Sequence, residues 1–391
     1  MSLWRFHLST ITPATGPSTT VGSRATVMTR PISVPESVSC FSHNIDATAK
    51  ACLPIELTTW PCHSRVKLRF QSRGGKVTAC AMGELSVPPG SGTSGRRAAR
   101  QCIFGSMNAP GIGFGNYHTH TGHCDGKGSP DEFAVAALSK GMPRLGFSGH
   151  NVLPFPAHWT MPAGNLESYL REVRETKARY RGRLEVFLGM EVDYLPGIAS
   201  PVDTAIRALG LDFVIGSVHF IASVNGEYPW TVDGSAGEFE TGLRESFGGN
   251  LRALVERYYE RVAEMALRAT PDIVGHFDIV KKTNRDRRWF SEEAPWYRAA
   301  CRTALEAVAR SGSILEINTG GVVRNTSGAL YPSAHILRDV RALDIPVMVN
   351  ADAHRPEHID GHFRETVRLL RELGFRSQRQ LTARGWVDQE L

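Results

Sequence analysis

From about residue 114 onwards, short apolar runs alternate with longer runs that are apolar on one side only. The short runs are rich in β-branched and aromatic residues, which favours strands, and the longer runs repeat with the spacing of a helix. The predicted strands are 115–120, 144–148, 184–192, 213–219, 273–276, 314–318 and 346–349. The predicted helices are 130–140, 165–180, 201–208, 250–269, 295–311, 333–343 and 362–373.

This alternation of strand and helix predicts an α/β fold. Seven strand–helix units favour an irregular (β/α)7 TIM-like barrel, with a doubly wound open sheet as the alternative. Residues 220–249 interrupt the rhythm and are rich in Gly, Trp and acidic residues, so a lid or an irregular excursion is predicted there. The sequence contains no run of about 18 apolar residues, and no membrane partner is therefore predicted.

Residues 1–107 have a different composition, rich in Ser, Thr, Gly and Arg, without sustained periodicity. They contain twelve basic and four acidic residues, a net charge of +8, which leaves −2 for residues 108–391 of a chain whose total is +6. This composition is typical of a transit peptide, so we expect a largely disordered leader and linker that directs the chain to the plastid (chloroplast) stroma, with the mitochondrion as second choice. Because the basic charge belongs to the leader, no nucleic-acid partner is predicted.

Each predicted strand ends in, or runs into, a residue that can bind metal or carry protons. These residues are His118, His120, His150, Glu191, Asp193, His219, His276, Glu316, Asn318, Asp352 and His354. In a parallel barrel the C-terminal ends of the strands meet at one rim, so these side chains are expected to converge. The period-two pleat points His118 and His120 to the same face, where one ion can bind both rings.

The number of ligands predicts a metal cluster. A lone histidine at a strand end is more often a packing residue, but six histidines at one end of the barrel are unlikely to be placed by chance. With the carboxylates they exceed what one tetrahedral ion needs, so two or three divalent metal ions are expected. The mixture of imidazole and carboxylate ligands suits Zn, Mn or Fe better than Ca or Mg.

The sequence blocks around these residues resemble the PHP (polymerase and histidinol phosphatase) family, and within it the histidinol-phosphatases. The blocks are NYHTHTGHCDGKG (116–128), GFSGHNVLPF (146–155), GMEVDYLPG (189–197), LDFVIGSVHF (211–220), DIVGHFDIVKK (272–282), LEINTGG (315–321) and VMVNADAHRPEHI (347–359). They follow the family's order over most of residues 114–375. The resemblance implies a PHP metallophosphoesterase domain over residues 108–391 that hydrolyses L-histidinol phosphate to L-histidinol and phosphate in histidine biosynthesis.

The resemblance also implies a ligand set for each ion. The first ion would bind His118, His120, Glu191 and Asp352; the second Glu191, His219 and His276; the third His150, His354 and Asp125, with His123 as the alternative to Asp125. Glu191, which would bridge two ions, carries a catalytic role together with Asp352 and His219. The substrate phosphate is assigned to Arg324, with Lys281 and Arg355 as alternatives, and the rest of the substrate to Asp193 and Asn318. His158 and Trp159 could form part of a wall of the site.

Other functions are compatible with the same residues. One is another PHP phosphoesterase acting on a different small phosphomonoester. Another is an amidohydrolase-like metal-dependent hydrolase, although the strand 213–219 lacks the lysine that many of those enzymes carboxylate. A metal-binding scaffold without catalysis is a further alternative. The expected partner in the favoured interpretation is a small-molecule phosphate ester, and the oligomeric state is left open.

Overall fold

The structure of the protein is a computed structural model that describes residues 56–59, 66–69, 113–223 and 229–391. Strands β1 (Glu56–Thr59) and β2 (Val66–Arg69) form a short antiparallel hairpin. The chain divides into two units, Met1–Phe104 and Gly105–Leu391. The predicted boundary between residues 107 and 108, and most of the predicted leader, lie outside the described residues.

The second unit alternates strands and helices in the predicted order. Its strands are β3 (Arg144–Phe147), β4 (Glu185–Asp193), β5 (Phe213–Ser217), β6 (Phe220–Ser223), β7 (Pro229–Thr231), β8 (Ile273–Val274), β9 (Ile314–Asn318), β10 (Val347–Asn350), β11 (Ser377–Thr382) and β12 (Gly385–Glu390). Its helices are α1 (Pro130–Ser139), α2 (Leu166–Arg179), α3 (Thr204–Arg207), α4 (Ala236–Phe247), α5 (Leu251–Arg268), α6 (Pro295–Ser311), α7 (Gly320–Val323), α8 (Leu337–Ala342) and α9 (Phe363–Glu372). Short 3-10 turns occur at Ala163–Asn165, Ile279–Lys281, Arg285–Arg287 and Pro356–His358.

Local sequence signals explain where several helices begin and end. Ser129 caps α1 in a capping box with Glu132, and Pro130 occupies the first turn, where its missing N–H costs nothing. The helix α6 likewise begins at a proline, and it ends before Gly312, whose φ of 75° is left-handed. These signals account for the agreement of the predicted and observed bounds of α6.

The central sheet has six parallel strands in the order β10-β9-β8-β5-β4-β3. The chain before α1 lies between its two edge strands, because Asn116 bridges to Leu145 of β3 and Thr119 bridges to Ala353 just after β10. The sheet therefore curls until this extended segment joins both edges. The predicted irregular TIM-like barrel is confirmed, and the open sheet is not formed.

The predicted first strand, 115–120, is an extended segment rather than a regular strand. In a regular strand, the backbone N–H groups of this segment would donate to the backbone of a neighbouring strand. Here several of them donate to side chains of other residues instead. The pairs are Gly115 N to Gln380 Oε1 (2.7 Å), Tyr117 N to Asn350 Oδ1 (2.8 Å) and Thr119 N to Ser148 Oγ (3.1 Å). The segment is thus held in place by its neighbours' side chains, which fixes the two histidines that it carries.

Side chains that point into the barrel change character from one end to the other. At the N-terminal ends of the strands they form an apolar cluster of Tyr117, Phe187, Phe213, Ile215, Ile273, Ile314, Met348 and Leu381. Further along the same strands, the period-two alternation brings polar side chains inward: Glu191, Ser217, Glu316 and Asn350, all buried. The barrel therefore has an apolar lower layer and a polar upper layer, and the upper layer carries the candidate site.

Two regions differ from the expectation. Residues 220–249, expected to be a lid or an irregular excursion, contain the antiparallel pair β6–β7 and the helix α4. The C-terminal hairpin β11–β12 was not predicted, because two of its three buried positions, Gln378 and Gln380, are polar and the alternation is not apolar. This hairpin covers the lower end of the barrel, where Tyr117 donates its hydroxyl hydrogen to the Leu381 carbonyl (2.6 Å).

Among the described helices, none combines the length and the apolar character needed to cross a bilayer.

Candidate metal centre

The candidate metal centre lies at the C-terminal rim of the barrel. The structure brings together all nine residues that the sequence suggested as ligands. Ligand atoms of eight of them fall into three overlapping groups, each within 4.8 Å: His120, Asp125, His150 and His354; His118, Glu191 and His276; His118, His120 and Asp352. The ninth, His219, has its Nε2 atom 3.7 Å from Glu191 Oε1.

The four side chains suggested for the first ion face one another at short range. The Nε2 atom of His118 lies 3.2 Å from Glu191 Oε2 and 3.6 Å from Asp352 Oδ1. The Nε2 atom of His120 lies 3.5 Å and 3.2 Å from the same two oxygens. Two ligands bound at about 2.1 Å to one tetrahedral ion are about 3.4 Å apart. These four atoms therefore have the separation that a shared ion requires.

Glu191 also contacts the histidines suggested for the second ion. Its other oxygen, Oε1, lies 2.8 Å from His276 Nε2 and 3.7 Å from His219 Nε2. Ser217 donates a hydrogen bond of 2.6 Å to the same oxygen and orients it. The Oε2 atom also lies 3.0 Å from His150 Nδ1. The two oxygens of Glu191 thus face different sets of histidines, which is the arrangement of a bridging ligand. Sequence reasoning missed Ser217, although it precedes His219 by two residues and so shares its side of the strand.

The third group distinguishes the two candidate loop ligands. Asp125 Oδ2 lies 3.0 Å from His354 Nε2, and Asp125 Oδ1 lies 3.9 Å from His150 Nε2. His123 faces away from the rim, because its Nε2 atom pairs with Glu172 at 2.9 Å and its Nδ1 atom lies 3.2 Å from Ser168 Oγ. The geometry thus favours Asp125 over His123 as the ligand from this loop.

Several buried ligand atoms have no hydrogen-bond partner within residues 113–223 and 229–391. They include His118 Nε2, His120 Nε2, His150 Nδ1, Asp125 Oδ1 and Glu191 Oε2. A buried polar atom left without a partner costs about 1–3 kcal/mol, so five in one place call for a common explanation. Imidazole nitrogens and carboxylate oxygens are ligands for Zn²⁺, Mn²⁺ and Fe²⁺. The residues therefore fit a cluster of divalent cations.

Local charges hold key groups in their metal-binding forms. Burial opposes ionisation of Glu191, but the neighbouring His150 and His118 hold the pKa of its carboxyl well below the ordinary value. Burial also opposes ionisation of Asp352, and Arg324 and His118 again lower its pKa. Burial lowers the pKa of His120 to about 3, with help from neighbouring imidazoles. Ionised carboxylates and neutral imidazoles are the forms that bind a metal. Burial lowers the pKa of His118, His150 and His219, but the carboxylates beside these rings raise it above the ordinary value, so these three rings would release protons when ions bind.

The two residues suggested for binding the rest of the substrate make internal contacts. Asp193 Oδ1 lies 2.9 Å from His219 Nδ1, and Asp193 is buried. Asn318, also buried, donates to Glu316 Oε2 at 2.9 Å and lies 3.4 Å from Asp352 Oδ2. Both residues therefore position candidate ligands, and their contact with substrate stays a prediction.

Arg324 is the basic residue at the rim. Its Nη2 atom donates to Asp352 Oδ2 at 2.8 Å. Its Nη1 atom contacts the Asp352 carbonyl oxygen and lies 3.0 Å from His354 Nδ1. The guanidinium is partly exposed and lies beside the ligand atoms, where it can reach a phosphoryl group bound there.

The two alternatives to Arg324 lie in different surroundings. Lys281 is buried, and its ammonium group binds Asp278 (2.8 Å), the Leu330 carbonyl (2.7 Å) and Ser333 Oγ. Arg355 is exposed, and its nearest acid is Glu357 at 3.8 Å. The structure gives Lys281 a structural role and leaves Arg355 at the surface, so neither gains support as the phosphate ligand.

An aromatic wall stands over one side of the rim. The Trp159 ring packs edge-to-face on His150 (centroids 4.6 Å apart) and on His219 (4.9 Å). The Trp159 ring also stacks on Phe220, with centroids 5.6 Å apart. The loop before α2 therefore supplies an apolar surface beside two candidate ligands.

The matches to known proteins agree with this geometry. Residues 116–320 match the PHP domain. The chain is 32% identical over 263 residues to the "Probable histidinol-phosphatase" of Deinococcus radiodurans, covering 66% of this chain and 94% of that protein. It is 28% identical over 258 residues to the histidinol-phosphatase of Bacillus subtilis strain 168, covering 61% and 92%. In fold it resembles the Lactococcus lactis histidinol phosphate phosphatase solved with zinc, L-histidinol and phosphate (TM-score 0.53, 18% identity, 70% of this chain and 99% of that one).

Proposed function

The chain belongs to the PHP domain family, and on that premise we propose that it is a metal-dependent histidinol-phosphatase. It would hydrolyse L-histidinol phosphate to L-histidinol and phosphate, a step of histidine biosynthesis. The observation that carries the proposal is the convergence of six histidines with Asp125, Glu191 and Asp352 at one rim, with unpaired buried ligand atoms facing one another. The relatives named histidinol-phosphatase supply the substrate.

The proposed cofactor is a cluster of two or three divalent ions, with zinc the first candidate because a structural relative binds it. The ligand sets are those suggested by the sequence, with Asp125 as the loop ligand and Glu191 shared between two ions. The chemistry that such ions supply when bound is neutralisation of charge on the phosphoryl group and a lower pKa for water.

The residues of the chain supply orientation. Ser217 and Asp193 fix Glu191 and His219, so that these two side chains keep their directions during turnover. Arg324 offers N–H groups to the phosphoryl oxygens, since its guanidinium already reaches Asp352 and His354. Catalysis then rests on placement and on electrostatic stabilisation, which is the usual basis of phosphoryl transfer.

The leaving group needs a surface of its own. Trp159, supported by Phe220, presents an aromatic ring beside His150 and His219. The imidazole and ammonium groups of histidinol can stack on, or lie over, such a ring. We therefore assign the leaving-group side of the substrate to the Trp159 wall.

The test is phosphate release by the full-length chain, with metal content measured by elemental analysis of the same sample. We expect two or three divalent ions per chain and a kcat/KM for L-histidinol phosphate about 100-fold above that for p-nitrophenyl phosphate or glycerol phosphate. Bound metal with equal activity on all esters would instead favour another PHP phosphoesterase for small phosphomonoesters. Metal-free protein with full activity would refute the proposal.

We also propose that residues 1–107 direct the chain to the plastid stroma. The support is the Ser-, Thr- and Arg-rich composition with its net charge of +8. A fusion of residues 1–107 to a fluorescent protein should accumulate in plastids of plant protoplasts. Accumulation in mitochondria would support the second choice, and a cytosolic signal would refute both.

A further inference from the structure

Glu316 is a buried carboxylate at the rim that belongs to none of the suggested ligand sets. Glu316, on β9, is fully buried, and each of its oxygens receives two hydrogen bonds. Its Oε1 atom pairs with His118 Nδ1 (2.7 Å) and Asn350 Nδ2 (3.0 Å), and its Oε2 atom accepts from the His276 backbone N–H (2.8 Å) and Asn318 Nδ2 (2.9 Å). Because both oxygens are occupied, this carboxylate is not available to bind an ion itself.

The partners of Glu316 connect it to three of the candidate ligands. It contacts His118 through the side chain and His276 through the backbone. Asn318, which it orients, lies 3.4 Å from Asp352 Oδ2. A single side chain therefore links ligands suggested for two different ions.

The contact with His118 has a consequence for its tautomer. The Nε2 atom of His118 faces Glu191 and Asp352, so that atom must keep its lone pair free to bind an ion. A neutral imidazole has one N–H, which must then lie on Nδ1. An ionised carboxylate can only accept hydrogen bonds, so Glu316 selects the tautomer with the hydrogen on Nδ1.

We propose that Glu316 is a positioning residue for the metal centre, which fixes the tautomer of His118 and the place of His276 so that both rings can bind ions. The inference rests on the proposed metal centre. It assigns to Glu316 a role in metal affinity that goes beyond filling the barrel.

The chain offers a matched control for a purely structural role. Asp278 is also a fully buried carboxylate, but it binds Lys281 (2.8 Å) and the Ser333 backbone N–H (2.9 Å) rather than a ligand side chain. Replacing either acid by its amide removes a buried charge and leaves a shape of nearly the same size. Only the change at Glu316 should alter metal binding.

The experiment measures zinc affinity of full-length protein by competition with a chelator, after metal removal, for wild type and the variants Glu316→Gln, Glu316→Asp and Asp278→Asn. Both oxygens of Glu316 accept from N–H donors, so in Glu316→Gln the new NH₂ group faces an N–H donor in either orientation of the amide. We expect a 10–100-fold loss of zinc affinity, with kcat partly restored at high zinc. Glu316→Asp keeps both acceptors and should fall between wild type and Glu316→Gln. Asp278→Asn should lower thermal stability while its zinc affinity stays near that of wild type.

A second readout follows the tautomer directly. The ¹⁵N signals of the His118 ring in zinc-loaded protein should show the hydrogen on Nδ1 in wild type and in Glu316→Asp. Wild-type zinc affinity in Glu316→Gln, or equal losses in Glu316→Gln and Asp278→Asn, would overturn the inference. If Glu316→Gln does not fold, the zinc affinity of Glu316→Asp tests the inference instead. Wild-type zinc affinity together with lower stability in Glu316→Asp would show that Glu316 has a structural role only. Failure of wild type to bind zinc would instead refute the proposed function.

Discussion

The two ends of the barrel are built from the same strands and serve different purposes. At the lower end, Phe213, Ile314 and Met348 pack together and the hairpin β11–β12 covers them. At the upper end, the inward positions of the same strands carry Glu191, Ser217 and other polar groups, several of whose neighbours have unpaired buried atoms. Inside the barrel, apolar packing lies at the lower end, and buried ligand atoms without hydrogen-bond partners lie at the upper end.

This difference explains how a folded domain can hold so many unpaired polar atoms. Burying them costs free energy that the polar layer does not recover without bound cations. The apolar layer below offsets that cost, because aromatic side chains bury large areas there. If the two layers have these separate roles, changes in the upper layer should alter metal binding and catalysis, and changes in the lower layer should alter stability alone.

The largest effect is expected for Glu191→Gln in the upper layer. The amide keeps one oxygen, carries no negative charge and cannot bridge two ions, so one ion site loses a ligand and both lose the shared charge. We expect kcat/KM to fall about 10⁴-fold, which corresponds to about 5.5 kcal/mol, and the metal content to drop. Steady-state kinetics and elemental analysis measure both.

Glu185→Gln is the matched control, because it makes the same change at the other end of the same strand. Glu185 is half-exposed and pairs with Arg144 at 3.1 Å. Activity and metal content should stay within about twofold of wild type, as for most surface substitutions. Full activity in Glu191→Gln would show that no bridging carboxylate is needed there.

The next effect is expected for Phe213→Ala in the lower layer. The Phe213 ring lies edge-to-face on Tyr117, with centroids 5.9 Å apart, and is fully buried. Removing it should lower the free energy of unfolding by about 3–5 kcal/mol, while zinc affinity stays within a few-fold of wild type. Urea denaturation of the metal-free protein measures the first and chelator competition the second.

The exposed Val135→Ala provides the control for Phe213→Ala, since its effect on the free energy of unfolding should stay within about 0.5 kcal/mol. A large loss of zinc affinity in Phe213→Ala would mean that the two layers are coupled. The division of the barrel into a stabilising end and a functional end would then be wrong.

The sequence predicted the upper layer better than the lower one. Strand-end histidines and acids are visible as residue types, and the rule that parallel strands converge at their C-terminal ends places them together. The partnership of Glu316 with His118 was not visible, because it joins residues 198 positions apart and depends on the register between strands. Ser217 was missed for a related reason, since a serine carries no distinctive chemistry until its neighbour is known.

The lower layer was predicted only as a set of apolar strands. The hairpin that covers it has Gln378 and Gln380 at two of its three buried positions, so its alternation is polar and gives no strand signal. These amides face the barrel because their oxygens accept backbone hydrogen bonds that a neighbouring strand would otherwise accept. One example is the hydrogen bond from Gly115 N to Gln380 Oε1. This use of a side chain as a backbone acceptor depends on the tertiary structure, and periodicity along the chain cannot reveal it.

A smaller effect is expected for Gln380→Ala, which tests whether the Gln380 side chain takes the place of a neighbouring strand. The Gly115 N–H would lose its acceptor, and a buried donor without a partner costs about 1–3 kcal/mol. We expect the free energy of unfolding to fall by about 2 kcal/mol, with kcat near that of wild type. Arg379→Ala, on the neighbouring half-exposed position of the same strand, should change it by less than about 0.5 kcal/mol. Equal effects in the two variants would argue against a specific role for the amide.

The smallest effect is expected for Arg324→Ala, which separates two possible uses of the one cation that contacts Asp352 and His354. Its guanidinium contacts both of those residues, so it could serve metal binding, phosphate binding or both. If phosphate is its main partner, KM for L-histidinol phosphate should rise about tenfold, equivalent to about 1.4 kcal/mol, with metal content unchanged. Kinetics and elemental analysis on one preparation distinguish these uses.

Arg355→Ala is the control for Arg324→Ala, because Arg355 follows His354 directly but is exposed and has only Glu357, at 3.8 Å, as an acidic neighbour. Its KM should stay near that of wild type. A lower metal content in Arg324→Ala with an unchanged KM would make the arginine a support for Asp352 alone. A raised KM in Arg355→Ala and not in Arg324→Ala would move phosphate binding from the rim to the surface. Either result would weaken the assignment of substrate binding to the polar layer, because a cation within that layer would then not reach the phosphate.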